Sequence, residues 1–149
     1  FFANISDFPS NIRHYIAEQS KRYLENDSIF IFFKTLESLR IENKLHTINT
    51  SKITNDTPKT DILYSDDYVW IESVNVFAKI KLACQNEGIS FDLSRQELYQ
   101  KLESEKLLIT KDNRRSYEYR KGQFRQSVIC LPRNNLNRYL TYDKEDIKL

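Results

Sequence analysis

Residues 74–132 read VNVFAKIKLACQNEGISFDLSRQELYQKLESEKLLITKDNRRSYEYRKGQFRQSVICLP. Over 74–87, Phe77, Ile80 and Cys84 recur at helical spacing. Ser73 is the expected N-cap, and Gly88 suits the stop because glycine enters the left-handed region without steric cost. Ser94-Arg95-Gln96-Glu97 is an S-x-x-E capping box, in which each of the two side chains accepts from the other residue's amide. It predicts a helix over 94–105 with Leu98 and Leu102 stacked one turn apart. Residues 107–110 read as a strand, and 117–120 and 125–131 as two more. The last two flank Lys121-Gly122-Gln123-Phe124, a four-residue loop with a glycine available for positive φ. Pro132 ends the final strand.

Helix, turn, helix, strand, hairpin is the order of a winged helix–turn–helix, in which the second helix enters the DNA major groove and the hairpin lies on the backbone. Charge placement agrees. Residues 111–138 hold eight Lys and Arg against Asp112 and Glu118, a local net of +6 in a chain whose total is +2. Such asymmetry is the footprint of a polyanion site. The expected DNA-binding residues are Arg95, Gln96, Tyr99 and Gln100 on the second helix, and Lys111, Arg114, Arg115, Arg120, Lys121 and Arg125 on the hairpin. Gln pairs bidentately with adenine and Arg with guanine, while Lys and Arg on phosphates release counterions and make binding salt-dependent. Tyr117, Tyr119 and Phe124 are the expected stacking residues, while Phe30, Phe32, Phe33, Phe77, Phe91 and Trp70 sit in apolar patterns and read as core. The competing reading is a solvated hairpin whose charges guard a sheet edge.

Upstream, 61–64 and 68–71 form a predicted hairpin around Ser65-Asp66-Asp67. Residues 49–60 are polar and aperiodic, and read as a mobile loop dividing two lobes. Before them come a short strand over 45–48 and a helix over 28–42, with Ile29, Phe32, Phe33, Leu36 and Leu39 inward and a cap within Asn26-Asp27-Ser28. A further helix over 10–25 would complete a helical hairpin with it. The expected fold is therefore α+β: a winged helix–turn–helix preceded by an N-terminal helical hairpin and a β-hairpin. The divisions are a helical lobe over 1–48, the loop 49–60, the winged helix over 61–140 with a short helix through Leu136 and Leu140, and a tail over 141–149.

Composition removes several classes. With two glycines in 149 residues there is no GxxxxGK[ST] or GxGxxG phosphate cradle. His14, His46, Cys84 and Cys130 form no CxxC, HxH or HExxH, so no metal or other cofactor is expected. The cysteines read as unpaired, buried thiols of a reducing cytoplasm. The longest apolar run, 29–33, falls far short of the roughly 18 residues that span a bilayer. No leader pattern and no methionine are present, which reads as a piece of a longer protein. Asp61, Asp66, Asp67 and Glu72 could suggest metal-dependent phosphodiester chemistry, but Asp66 and Asp67 sit where a turn favours Asp for backbone reasons, and no catalysis is expected of this segment.

On these residues the chain resembles the C-terminal region of replication initiator helicases of mobile elements, the Rep and cassette-helicase type carried by pathogenicity islands and staphylococcal cassettes. The matches are Asp66-Asp67-Tyr68, then Ser94, Leu98, Leu102 and Leu107, then the Arg-rich hairpin ending in Leu131-Pro132-Arg133, within residues 28–136. The resemblance implies an AAA+ motor domain upstream in the same parent chain and a terminal winged helix bound to origin DNA; the helix–turn–helix order itself makes double-stranded DNA the expected partner. The alternative it leaves open is a protein-interaction winged helix that docks the motor or a loading partner without touching DNA.

Overall fold

The computed structural model describes residues 27–138. Helix α1 (Ser28–Ile41) starts where the Asp27 carboxylate accepts from the Ile29 and Phe30 amides at 2.8 and 3.2 Å, the partners that orphan first-turn amides need. Strand β1 (Thr47–Asn49) and a 3-10 turn (Thr50–Lys52) follow. Then come β2 (Ile62–Tyr64), β3 (Tyr68–Glu72), α2 (Asn75–Asn86), α3 (Arg95–Ser104), β4 (Ser116–Lys121), β5 (Phe124–Pro132) and a 3-10 turn (Arg133–Arg138). Among the described residues this is a mixed α+β fold with three helices and a five-stranded sheet in the order β1-β2-β3-β5-β4. Only the β1–β2 pair is parallel.

Successive strand residues point to opposite faces, and each face of this sheet has its own core. On one face, Ile62, Val69, Ile71, Ile129 and Leu131 meet Phe32, Phe33 and Leu36 of α1, Val76, Ile80 and Cys84 of α2, and Leu98 and Leu102 of α3. On the outer face, Leu63 and Phe124 pack with Ile53, bordered by Ile48, Trp70 and Tyr119. Strand β5 is covered on both sides, so Val128, Ile129, Cys130 and Leu131 are all buried, and its sequence there is a continuous apolar run rather than an alternation.

Several expectations need correction. Ser73 does not cap α2: its hydroxyl bonds that of Ser127 at 2.6 Å. The N-cap position is Val74, whose side chain makes no capping bond, and the Glu72 carboxylate serves instead, accepting from the Val74, Asn75 and Val76 amides at 2.7, 2.5 and 3.1 Å. A longer side chain one residue further back reaches the same orphan amides with more charge to offer the helix dipole. Gly88 does end α2, at φ +69°, with the Ile89 amide returning to the Cys84 carbonyl. Residues 107–110 form no strand; a lone bridge pairs Ile109 with Cys130. Leu107 and Leu108 are both buried, which breaks the alternation a half-buried strand requires. The chain then turns on Asp112 and Asn113, at φ +53° and +61°, with Lys111 bridged to Arg114. Asp and Asn tolerate that left-handed pair better than most residues. The β4–β5 loop is two residues, Gly122 and Gln123, because Lys121 still pairs with Phe124.

The short strand lies at Thr47–Asn49 rather than 45–48. Residues 49–60, expected as a mobile divide, pack on the outer face: the Thr60 amide donates to Gln126 Oε1 at 2.7 Å, and Asn55 Oδ1 accepts from the Gln123 amide at 2.9 Å. Helix α1 on one side of that segment shares its core with α2 and α3 on the other. The expected helix over 10–25, and with it the helical hairpin, lies outside the described residues, as does everything after 138. Leu136 is buried in the final 3-10 turn. Among the described residues no helix is long and apolar enough to cross a membrane.

Candidate nucleic-acid interface

Helix α3 is built from its capping box. Ser94 Oγ accepts from the Glu97 amide and Glu97 Oε1 from the Ser94 amide, both at 3.1 Å. These bonds hold the Glu97 carboxyl below its ordinary range, the bond to the Ser94 backbone first. Leu98, Tyr99 and Leu102 form the buried stripe. Gln96 and Gln100, four residues apart, stand exposed on one stripe. Arg95 is half-buried, with Nη1 3.4 Å from the Ser73 carbonyl. Tyr99, expected among the exposed readers, is not one: only 3% of it is accessible, and its hydroxyl donates to the Ser73 carbonyl at 2.5 Å. It lies three residues from Leu102 on the core side, and that burial pushes its phenol well above the ordinary value.

The hairpin meets α3 through Arg115, whose Nε lies 2.8 Å from Glu103 Oε2. Beside that pair opens a cleft of about 560 Å³ between Gln96 and Glu103 of α3 and Asn113, Arg114 and Arg115 of the tight turn and its exit. Arg114 is exposed there, and among the described residues its side chain makes no hydrogen bond or ion pair. Further along, Arg120 and Arg125 are paired across the strands. Both converge on Glu118 Oε1, at 2.9 and 3.4 Å. Arg125 also donates to the carbonyls of Gly122 and Phe124. Strand alternation places Glu118, Arg120 and Arg125 on the helix-side face together with Ile129.

Lys121 and Lys111 belong to the other face. Lys121 Nζ donates to the Thr50 carbonyl at 2.5 Å, and Lys111 Nζ stands 5.1 Å over the Tyr117 ring. The ten expected residues therefore do not form one surface. The structure gathers Arg95, Gln96, Gln100, Arg114, Arg115, Arg120 and Arg125 on the α3 side, buries Tyr99, and sends both lysines to the outer face. Of the expected stacking residues, Phe124 is buried, while Tyr117 and Tyr119 are half-buried. Sequence reasoning missed Glu103 and Glu118 as partners of the arginines. Glu118 was visible two residues before Arg120, on the same face of any strand; Glu103 meets Arg115 only through tertiary packing. The tight turn had a visible signal in Asp112-Asn113 between two cations.

Two of the four carboxylates expected near one another, Asp61 and Glu72, have structural partners, while Asp66 and Asp67 lie in the exposed β2–β3 turn. Asp61 accepts from the His46 amide at 2.8 Å and pairs with Lys79 at 3.2 Å, and Glu72 caps α2. Among the described residues no three His, Cys, Asp or Glu are gathered to hold a metal ion. Cys84 and Cys130 are buried and unpaired. Compared with known proteins, the chain matches no family model, and no characterised protein matches it by sequence.

Proposed function

We propose that this chain is a double-stranded DNA-binding module of the winged helix–turn–helix kind, with α3 as the recognition helix and the β4–β5 hairpin as the wing. The chain order α1, β3, α2, α3, β4, β5 and the strand order β3-β5-β4 fit that architecture. The observation that carries the reading is the cleft lined by both Gln96, on an exposed stripe of α3 and able in this reading to pair with a base, and Arg114. It joins a base reader to a phosphate contact on one surface. Arg115, Arg120 and Arg125 extend the same side; Arg115 holds Glu103 in a half-buried pair, while the exposed pairs of Arg120 and Arg125 with Glu118 are of the kind worth only about 0–1 kcal/mol. A phosphate can therefore replace the Glu118 carboxylate at little cost.

In this reading the module, with no cofactor of its own, holds a mobile-element replication initiator helicase on its origin in the cytoplasm. An AAA+ motor lies upstream in the parent chain; this part rests on the resemblance described above. The test is duplex binding by the full chain across a salt series. Replacing Arg114, Arg120 and Arg125 together with Ala is expected to lower affinity and to flatten the log–log salt slope by roughly 0.9 per lost phosphate contact. An unchanged slope rejects the wing. Gln96→Ala is expected to change sequence preference, by about 1–3 kcal/mol at one base pair.

A second reading, a docking module for the motor or a loading partner, is favoured by an open groove of about 880 Å³ between α1 and the α2–α3 turn, with Phe30, Leu39 and Ile89 among its walls. Failure of the chain to be retained on duplex DNA or heparin at low salt selects that reading.

A further inference from the structure

We infer that the outer face of the sheet, opposite α3, binds single-stranded nucleic acid by stacking bases on Tyr68, Trp70 and Tyr117 with backbone phosphate on Lys111. This goes beyond duplex binding and uses none of the α3-side residues.

Placement comes from register. Trp70 pairs with Cys130 and Tyr117 with Val128, so both aromatic residues rise from the outer face over small or medium β5 residues. Tyr68, two residues before Trp70, shares that face, as does Ile109 through its bridge to Cys130. The rings are contiguous: Tyr68 and Trp70 centroids are 5.8 Å apart, and Trp70 Nε1 donates to Tyr117 Oη at 2.9 Å.

The outer face is covered unevenly. At the Phe124 end of β5 it is sealed by Ile53. At the Pro132 end it is open: Tyr68 is 41% and Ile109 36% exposed, and Trp70 and Tyr117 are half-buried. Trp70 is anchored against the Ile53, Leu63 and Phe124 cluster and beside Tyr119, Tyr117 lies under the mobile ammonium of Lys111, and Tyr68 is the most open ring of the three. They form a partly exposed aromatic row of the kind on which bases stack.

Charge selects the occupant. Lys111 lies over Tyr117, and Lys121, with two donors beyond the one it gives to Thr50, closes the far end of β4. Among the strand residues of this face the one carboxylate is Glu72, and it is committed to three amides of α2. Asp66 and Asp67 lie in the turn beside Tyr68, so the track runs away from that turn, toward Tyr117 and Lys111. Among the described residues neither Lys111 nor Lys121 is ion-paired, not even Lys111 with its neighbour Asp112, and aromatic rings next to such cations suit a polyanion that carries flat bases. A duplex, whose bases are already stacked, cannot use them.

Trp70 is the sole tryptophan of the chain, so its emission reports the proposed contact directly. The experiment titrates the full chain with oligothymidylate at low salt, reading Trp70 fluorescence and the anisotropy of a labelled strand, with duplex binding measured in parallel. Binding is expected to quench Trp70 and to reverse with salt. Tyr68→Ala and Lys111→Ala are each expected to weaken single-strand affinity about fivefold or more, with duplex affinity unchanged. Lys111 is exposed, so its variant keeps the test valid should Tyr68→Ala fail to fold.

Binding without quenching overturns the inference, as does insensitivity to Lys111→Ala. Loss of single-strand binding in the Arg114, Arg120 and Arg125 variant overturns it too, by placing the strand on the α3 side. Self-association abolished by Tyr68→Ala would assign the face to a second copy of the chain. Duplex binding with no single-strand binding overturns this inference and leaves the duplex reading standing; the converse result does the opposite.

Discussion

The two faces of the β4–β5 hairpin carry cations in different company. On the α3 side, Arg120 and Arg125 share Glu118, and Arg115 holds Glu103. On the outer side, Lys111 rests on an aromatic ring and Lys121 on a backbone carbonyl, beside Tyr117, Tyr119 and Trp70. A net charge summed along the sequence cannot see this division, because alternate residues of one strand serve opposite surfaces. The hairpin and the residues that lead into it thus set exchangeable guanidiniums on one side and rings flanked by ammonium groups on the other. A ligand that meets the first side must displace carboxylates; one that meets the second must fit between rings.

The contrast is most strongly tested at Phe124. Its ring packs with Ile53 and Leu63 and meets Tyr119 at 6.2 Å, so Phe124→Ala is expected to destabilise the protein by about 3–5 kcal/mol in denaturant unfolding. A cost under about 1 kcal/mol would mean that the outer face has no packed end, and the contrast would fail.

A smaller effect is expected in alkali. Burial first, then the neighbouring Cys130 thiol, pushes the Tyr117 phenol up from 10.0 to about 12. A group that holds its proton more tightly when folded contributes stability that is complete below the unfolded value and lost as pH rises through the folded one. The part of stability, measured in denaturant, that belongs to Tyr117 should therefore be complete up to about pH 10 and be lost toward pH 12. That loss comes on top of the one from the buried Cys130 thiol, which is likewise raised and begins to titrate earlier. Tyr117→Phe should remove the Tyr117 part of the decline. An unaltered decline in the variant would show that the phenol is solvated and the platform is not built as described.

The smallest effect belongs to the α3 side. Glu118→Gln releases Arg120 and Arg125 from exposed pairs worth about 0–1 kcal/mol. Stability should move by less than that, while duplex affinity should rise by roughly two- to fivefold. An affinity that stays level or falls would show that Glu118 does not hold the arginines back from phosphate, and the two faces would differ less than their geometry suggests.

Much of the frame was legible from local rules. The Ser94–Glu97 capping box, the Gly88 stop, the β2–β3 hairpin and the inward stripe of Leu98 and Leu102 each follow from contacts within a few residues, and each stands in the structure. The failures share a cause. Ser73 was a plausible cap until Glu72 outreached it. Tyr99 looked like an exposed polar aromatic until the Ser73 carbonyl, 26 residues away in sequence, took its hydroxyl. Residues 49–60 looked unstructured because their partners, Gln123 and Gln126, lie more than 60 residues downstream.

What the sequence determined by itself is the succession of helices and strands and the concentration of basic residues near the hairpin, because propensity, capping and periodicity act over one or two turns of chain. Which face each cation occupies, which glutamate answers it and which rings remain open were decided only in the tertiary structure. Register and long-range packing set those distances, and electrostatic and stacking interactions depend on distance through space rather than on separation along the chain.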